Sequence, residues 1–296
     1  MTGFRCSAAS VERGDAMAGT ASTVRAFLLV ECAGPWGVAA LRDARLPHDV
    51  KAGLRAAAAH GVRALLIRRH GRADTTGAHV FAAFAHPERP WMETAVLDRP
   101  ADVLGLDLAA LGAGRSLGLA PTSEPLFLVC THGRHDACCA ERGRPVAAAL
   151  ADVEPAATWE VSHIGGDRFA ANVLVLRDGL YYGRLDAESA ARVAAAHRAG
   201  RLDLAHLRGR SGYPFAVQAA EWHARRELGD DVVTSTRLLG RSARGDEVGV
   251  DLALAGGQWR VVLREGRTPP ARLTCAAARE SPAPRFDLVS LAPLDR

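Results

Sequence analysis

Lysine is almost missing from this chain. Among 37 Lys and Arg residues, Lys51 is the only lysine. A phosphate-binding loop needs Gly-Lys-[Ser/Thr], and Lys51 sits in Val50-Lys51-Ala52, so that class of nucleotide site is excluded. A Schiff-base enzyme would have to rest on Lys51, whose neighbours offer nothing to activate it. Long apolar runs are missing as well. Ala26–Val30 and Val146–Ala151 fall far short of the roughly 20 residues that span a bilayer, so no membrane contact is expected. The opening MTGFRCSAASVERGD has no apolar stretch and carries Glu12 and Asp15, which argues against a secretory signal and for a cytoplasmic location. No run of five like charges exists, and the arginines are interleaved with acids. The net charge of +4 therefore makes no nucleic-acid patch. A C-x-x-C pair is absent. So is a dinucleotide turn: the glycines of Gly112-Ala113-Gly114-Arg115-Ser116-Leu117-Gly118 have the wrong spacing and follow a predicted helix.

What remains is a globular composition. The chain has 296 residues, 48% hydrophobic and 24% charged, enough for two domains or one large one. Strand and helix signals alternate, which predicts an α/β protein. Val24–Glu31, Val62–Arg68, Val80–Ala85 and Trp91–Asp98 read as strands, Asp49–His60 and Ala101–Leu111 as helices. Gly112–Glu124 is rich in Gly, Ser and Pro and marks a boundary. A second unit follows, with strands at Pro125–Val129, Thr158–Ser162, Val173–Leu176 and Leu180–Leu185. Its helices are predicted over Arg144–Ala151, Asp186–Arg198 and Tyr213–Leu228. Hairpin signals at Val248–Leu254 and Trp259–Arg264 flank the turn Gly256-Gly257. The expected organisation is an N-terminal arm over 1–22, an α/β region over 23–122, a second α/β domain over 123–228 and a β-rich region over 229–296. The two α/β units share a strand–loop–helix–strand rhythm that suggests a diverged duplication.

Two segments carry chemistry. The first is Cys130-Thr131-His132-Gly133-Arg134-His135-Asp136-Ala137-Cys138-Cys139; the second is Ser162-His163-Ile164-Gly165-Gly166-Asp167-Arg168-Phe169-Ala170-Ala171-Asn172. Each follows a predicted strand, so both should project from one end of a sheet, where open α/β sheets place ligands. Two cysteines with a His and an Asp from the second loop make a set that zinc would accept. An iron–sulfur cluster with non-cysteine ligands on one iron would accept it too. The gap between Cys130 and Cys139 exceeds the C-x2–4-C of a zinc knuckle and suits a loop wrapping a larger object. Gly165 and Gly166 permit close backbone approach. Of the adjacent Cys138 and Cys139, only one readily faces a given site, and Cys139 is the expected ligand. His132 and His135 are read as loop residues that could also ligate, and Asp167 as either a cap or a ligand. Arg134 and Arg168 flank the loops. They could offset charge, dock an acidic partner, or stand as solvated surface arginines. Cys6, Cys32 and Cys275 are read as isolated buried cysteines.

At these residues the sequence resembles the sucrase/ferredoxin-like family. The resemblance rests on C-T-H-G-R-H-D-A-C-C-A and S-H-I-G-G-D-R-F-A-A-N, supported by Ala33–Leu41 and Tyr181–Leu185, and covers roughly Thr20 to Gly212. It implies a thioredoxin-like ferredoxin domain with a 2Fe–2S cluster. Two cysteines would hold one iron, at Cys130 and Cys139. Two histidines would hold the other, the first at His163. The second falls at position 167, where this chain has Asp167. The fourth ligand is then Asp167, Cys138, His132 or water. A carboxylate there predicts a lower reduction potential and a weaker pH dependence. The implied role is an electron carrier, not a glycosidase, served by a separate reductase chain and passing electrons to an unidentified acceptor. A thiol–disulfide oxidoreductase and a zinc-binding or metal-free structural module are the competing readings.

Overall fold

The computed structural model describes residues 3–71 and 77–294. The chain opens with α1 (Cys6–Glu12), inside the predicted arm. Then come β1 (Ala26–Glu31), the short α2 (Ala40–Asp43), α3 (His48–Ala56) and β2 (Val62–Arg68). β3 (Ala78–Phe84), β4 (Trp91–Leu97), α4 (Leu108–Gly112) and the two-residue β5 (Ala120–Pro121) complete the first unit. The second unit holds β6 (Leu126–Cys130), α5 (Ala137–Val153), β7 (Thr158–Val161), β8 (Val173–Leu176) and β9 (Leu180–Tyr182). It continues through α6 (Ala187–Arg198), β10 (Leu207–Arg210) and α7 (Phe215–Leu228). The last four strands are β11 (Arg237–Arg244), β12 (Glu247–Leu254), β13 (Gly257–Arg267) and β14 (Pro284–Pro293).

Two sheets result. The large one is mixed, in the order β10-β9-β8-β6-β7-β2-β1-β3-β4-β5; the small one is an antiparallel meander, β11-β12-β13-β14, covered by α7. The large sheet contains one pattern twice. β1 and β2 are parallel, β3 runs antiparallel to β1, and β4 antiparallel to β3. β6, β7, β8 and β9 repeat this arrangement strand for strand. The two copies join through the antiparallel pairing of β2 with β7, so one sheet runs through residues 23–122 and 123–228 alike. The rhythm expected from the sequence thus has a structural counterpart.

The central strands are apolar because both their faces are covered. Every residue of β1 and β6 is buried. Leu126, Leu128 and Cys130 face one core with Trp159 and Tyr181, while Phe127 and Val129 face another beneath α5 and α6. Several elements differ from expectation, among them α1, α2 and β5, which have no predicted counterpart. Ala101–Leu111 is a 3-10 turn over Pro100–Gly105 followed by α4. β10 lies in a stretch with no strand signal. α5 begins well before Arg144, because Asp136 caps it: its Oδ1 accepts from the Cys138 N–H at 2.9 Å. Among the described residues, no helix is long and apolar enough to cross a membrane.

Two buried carboxylates brace the sheet. Glu160 on β7 accepts from Thr131 Oγ1 (2.6 Å) and Arg68 Nη2 (2.6 Å), and contacts His70 Nδ1 (2.8 Å). Asp178, between β8 and β9, lies 3.4 Å from His197 Nε2 and 3.7 Å from Arg177 Nε. Burial pushes both carboxyl groups up, but these partners outweigh it, and both titrate below their ordinary values. A depressed folded-state value stabilises the fold above the ordinary carboxylate range, about 4, and that stability is lost as the pH falls through it. The denaturation midpoint should therefore hold between pH 7 and 5 and drop below about pH 4, with a shallower drop in Glu160→Gln. A wild-type midpoint unchanged down to pH 3 would refute this.

Candidate metal centre

β6 and β7 are parallel neighbours in register, with Cys130 opposite Val161. The two motif loops therefore leave the same sheet edge side by side, as the sequence predicts. Cys139 does not sit in a long wrapping loop, however. It lies in the first turn of α5, brought back over Cys130 by the helix. Gly143 permits this seating: a Cβ there would lie 2.2 Å from the Cys130 carbonyl oxygen. In the second loop Gly165 (φ 92°) and Gly166 (φ 82°) take left-handed conformations. They fold Asp167 back onto His163.

The expected residues converge. Asp167 Oδ1 accepts from Cys139 Sγ at 3.2 Å and lies 3.0 Å from His163 Nδ1. Cys130 and Cys139 are each 1% exposed and Asp167 4%. Asp167 is the first residue of a 3-10 turn, whose cap position is Gly166; its carboxylate serves the site instead of capping. His135 joins them. Its ring lies over that of His163 with centroids 3.8 Å apart, and its Nε2 is 3.8 Å from Asp167 Oδ2. The ligand atoms of His135, His163 and Asp167 all lie within 4.8 Å of one another.

Other candidates fall outside the centre. His132 has both ring nitrogens engaged: Nε2 donates to the Gly37 carbonyl (2.8 Å), and Nδ1 accepts from the His163 N–H (3.3 Å). Burial lowers its pKa and keeps it neutral. It positions the His163 backbone and offers no free nitrogen. Cys138, about 100° around the helix from Cys139, points the other way. Arg134 is exposed beside the first loop. Arg168 is no solvated surface arginine: it is largely buried, lies 3.5 Å from Asp15 and stacks on Phe169 at 4.3 Å.

The sequence offered no signal for Arg208. This residue of β10 is fully buried behind the second loop. It donates to the Gly165 carbonyl (3.0 Å), Asn172 Oδ1 (2.8 Å) and the Thr20 carbonyl (2.6 Å). Asn172 Nδ2 in turn donates to the Gly166 carbonyl at 2.9 Å. A Cβ on Gly166 would meet the guanidinium at 2.3 Å, so the glycine pair and Arg208 fit as one unit.

The charges in the site support one another. The Cys139 thiol pulls the Cys130 pKa well below its ordinary value, burial opposes, and His163 adds a further lowering contact. Cys139 keeps its proton because of Cys130, burial and the Asp167 charge. Burial works against a charged His163, but Asp167 and the Cys130 sulfur outweigh it and raise its pKa to about 9. Burial raises Asp167, yet His163 and Cys139 bring it below the ordinary value.

A mixed α/β sheet that gathers two buried sulfurs, an imidazole and a carboxylate from adjacent strand ends and the first turn of α5 is the scaffold of a candidate metal protein. The sucrase/ferredoxin-like family model matches residues 17–209, well over half of the chain, and the chain belongs to that family. No curated protein and no solved structure matches it.

Proposed function

We propose that the chain is a one-electron carrier whose 2Fe–2S cluster is held by Cys130, Cys139, His163 and Asp167. The observation that carries this reading is His163 Nδ1. It faces, at 3.0 Å, a buried carboxylate oxygen that also receives the Cys139 thiol, so an imidazole, a carboxylate and a sulfur meet at one point. Among the described residues, the ion partners of Asp167 are His135 and His163, so imidazoles, the side chains a metal can also take, hold the carboxylate at the site. The donor set fits: the two cysteines would hold one iron, and His163 with Asp167 the other. The bound cluster supplies reversible uptake of one electron.

The rest is the work of the chain. The sheet buries the two sulfurs from water. Arg208, through Gly165, holds the turn that carries His163 and Asp167. The His163 and His135 side chains, 28% and 36% exposed, form the open face, where electrons enter and leave. Arg134 and Arg144 line an adjoining groove of about 450 Å³, which suits an acidic partner surface. The donor is a separate reductase chain, and the acceptor a further partner. The repeated β2-β1-β3-β4 order supports a thioredoxin-like architecture. Six free cysteines agree with a reducing, cytoplasmic compartment.

Cys130, with its lowered pKa, also suits thiol–disulfide chemistry. Against that stands its burial, with Cys139, beneath the loops, where a substrate disulfide has no access. Anaerobic purification followed by absorption and EPR spectra, before and after dithionite, separates the readings. Visible bands that bleach, a rhombic half-spin signal on reduction, and equal iron and acid-labile sulfide are expected, all lost in Cys130→Ser. A colourless protein that takes up no iron on reconstitution would refute the cluster.

A further inference from the structure

Two of the cysteines read as isolated are not. Cys6 at the start of α1, Cys138 in α5 and Cys275 in the segment between β13 and β14 meet on the far side of α5 from the centre above. Cys138 Sγ lies 3.4 Å from Cys275 Sγ, and Cys275 Sγ 3.6 Å from Cys6 Sγ. Asp136 completes the group, with both carboxylate oxygens 3.6 Å from Cys6 Sγ. Cys6, Cys138 and Asp136 are buried and Cys275 is half-buried. The ligand atoms of all four lie within 4.8 Å of one another.

These spacings have a meaning. A tetrahedral zinc ion with Zn–S of about 2.3 Å and Zn–O of about 2.0–2.2 Å places its ligand atoms roughly 3.5–3.8 Å apart. The three short separations, 3.4–3.6 Å, lie close to the edges of that tetrahedron, and the remaining ones stay within 4.8 Å. A disulfide between any two of the sulfurs would leave the third thiol and the carboxylate without a role, whereas one ion uses all four groups. The carboxylate is also pre-aimed: Oδ1 accepts from the Cys138 N–H (2.9 Å) and Oδ2 from the Cys275 N–H (2.7 Å). Such outer contacts orient ligands in metal sites. Arg272 donates to the Cys275 carbonyl (2.9 Å) and stacks on Phe4 at 4.2 Å, and Arg5 lies close enough to feel Cys275 and Cys138. Both cations offset the charge that thiolates would bring.

We propose that Cys6, Cys138, Cys275 and Asp136 bind a single zinc-type divalent ion, separate from the iron–sulfur centre. Binding releases the three thiol protons to solvent and forms three metal–thiolate bonds. The ion joins segments far apart in the chain, Cys6 to Cys275 above all. It ties the N-terminal helix and the segment leading to the small sheet onto the helix that carries Cys139. Cys138 and Cys139 then serve one metal each from different faces of α5.

Metal analysis of the full-length protein tests this, with iron and sulfide measured on the same samples. Wild type should carry one zinc per chain. Cys275→Ser, a change in a half-exposed segment, should lose zinc and keep iron and sulfide; Cys6→Ser should do the same. Cys130→Ser should do the reverse, so the two centres fail independently. Cobalt(II) added to the zinc-free wild type should give sulfur-to-metal charge-transfer bands and intense tetrahedral d–d bands, both missing in Cys275→Ser. Zinc and cobalt uptake unchanged in both serine variants would overturn the proposal. So would a Cys138–Cys275 disulfide, in protein purified without reductant, that accounts for both thiols and admits no metal.

Discussion

Arg208→Met should unfold well below the wild type, with a loss of about 3–5 kcal/mol, and should come off the column depleted in iron. The guanidinium has no water around it and spreads its donors over two loops. Nη1 serves the Gly165 carbonyl and Asn172 Oδ1, Nη2 the Thr20 carbonyl, and Nε the Thr20 hydroxyl at 3.2 Å. Burial lowers its pKa only to about 10, so it is charged at neutral pH. Methionine fills much of the volume but donates nothing. Four acceptors then lose this partner, the Asn172 amide oxygen the most deeply buried of them, and a buried group left unpaired costs about 1–3 kcal/mol. The damage reaches the metal centre because Gly165 leads directly into Gly166 and Asp167. Lysine keeps the charge but cannot fork, so Arg208→Lys should recover part of the stability and little of the loop geometry. Thermal melts with iron analysis check both variants. A methionine variant as stable and as iron-rich as wild type would show that the loop holds itself.

Arg208 also shows where reading the sequence stops. Leu207–Arg210 spells LRGR, which looks like a solvated turn, yet all four residues are buried in β10. Its partners at positions 20, 165 and 172 are distant in the chain, and no local pattern announces them. The same holds for Cys6 and Cys275, which meet only because the arm and the C-terminal segment both return to α5. The first turns of α5 lie within the Cys130–Cys139 motif, which reads as a loop, so the helix is expected only from Arg144 although it starts at Ala137. Gly143 is required by the close approach to Cys130. By contrast, β2 and β6 were legible, because a strand covered on both faces is a short apolar run between turns. The convergence of the two motif loops was legible for a related reason. Cys130 and His163 each stand just beyond such a run, and parallel neighbours bring their C-terminal ends together.

Asp167→His should raise the reduction potential by on the order of 100 mV and steepen its dependence on pH. The argument is electrostatic. An oxidised 2Fe–2S core carries +2, and two thiolates with two neutral imidazoles bring the site to zero. A carboxylate in place of one imidazole makes it −1, and a more negative site resists an added electron. In this chain the carboxylate is buried beside His163, His135 and the Cys139 thiol, and a metal that takes the His163 nitrogen displaces that ring's proton and leaves the carboxylate's charge in the site. Restoring an imidazole removes that charge and adds a second ring whose proton follows the electron. His135 supplies the internal control, since its Nε2 already stands 3.8 Å from Asp167 Oδ2. If Asp167 is the ligand, Asp167→Ala should shift the EPR signal or lose the cluster, and Asp167→His should retain it at higher potential. If His135 holds the iron, Asp167→Ala keeps the spectrum, and His135→Ala becomes the damaging change. Potentiometric titrations between pH 6 and 9 decide, because only a change of ligand alters both the midpoint and its slope. A carboxylate at position 167 would then be the feature that sets this chain at the low-potential end, suited to a strongly reducing donor and an acceptor that needs one.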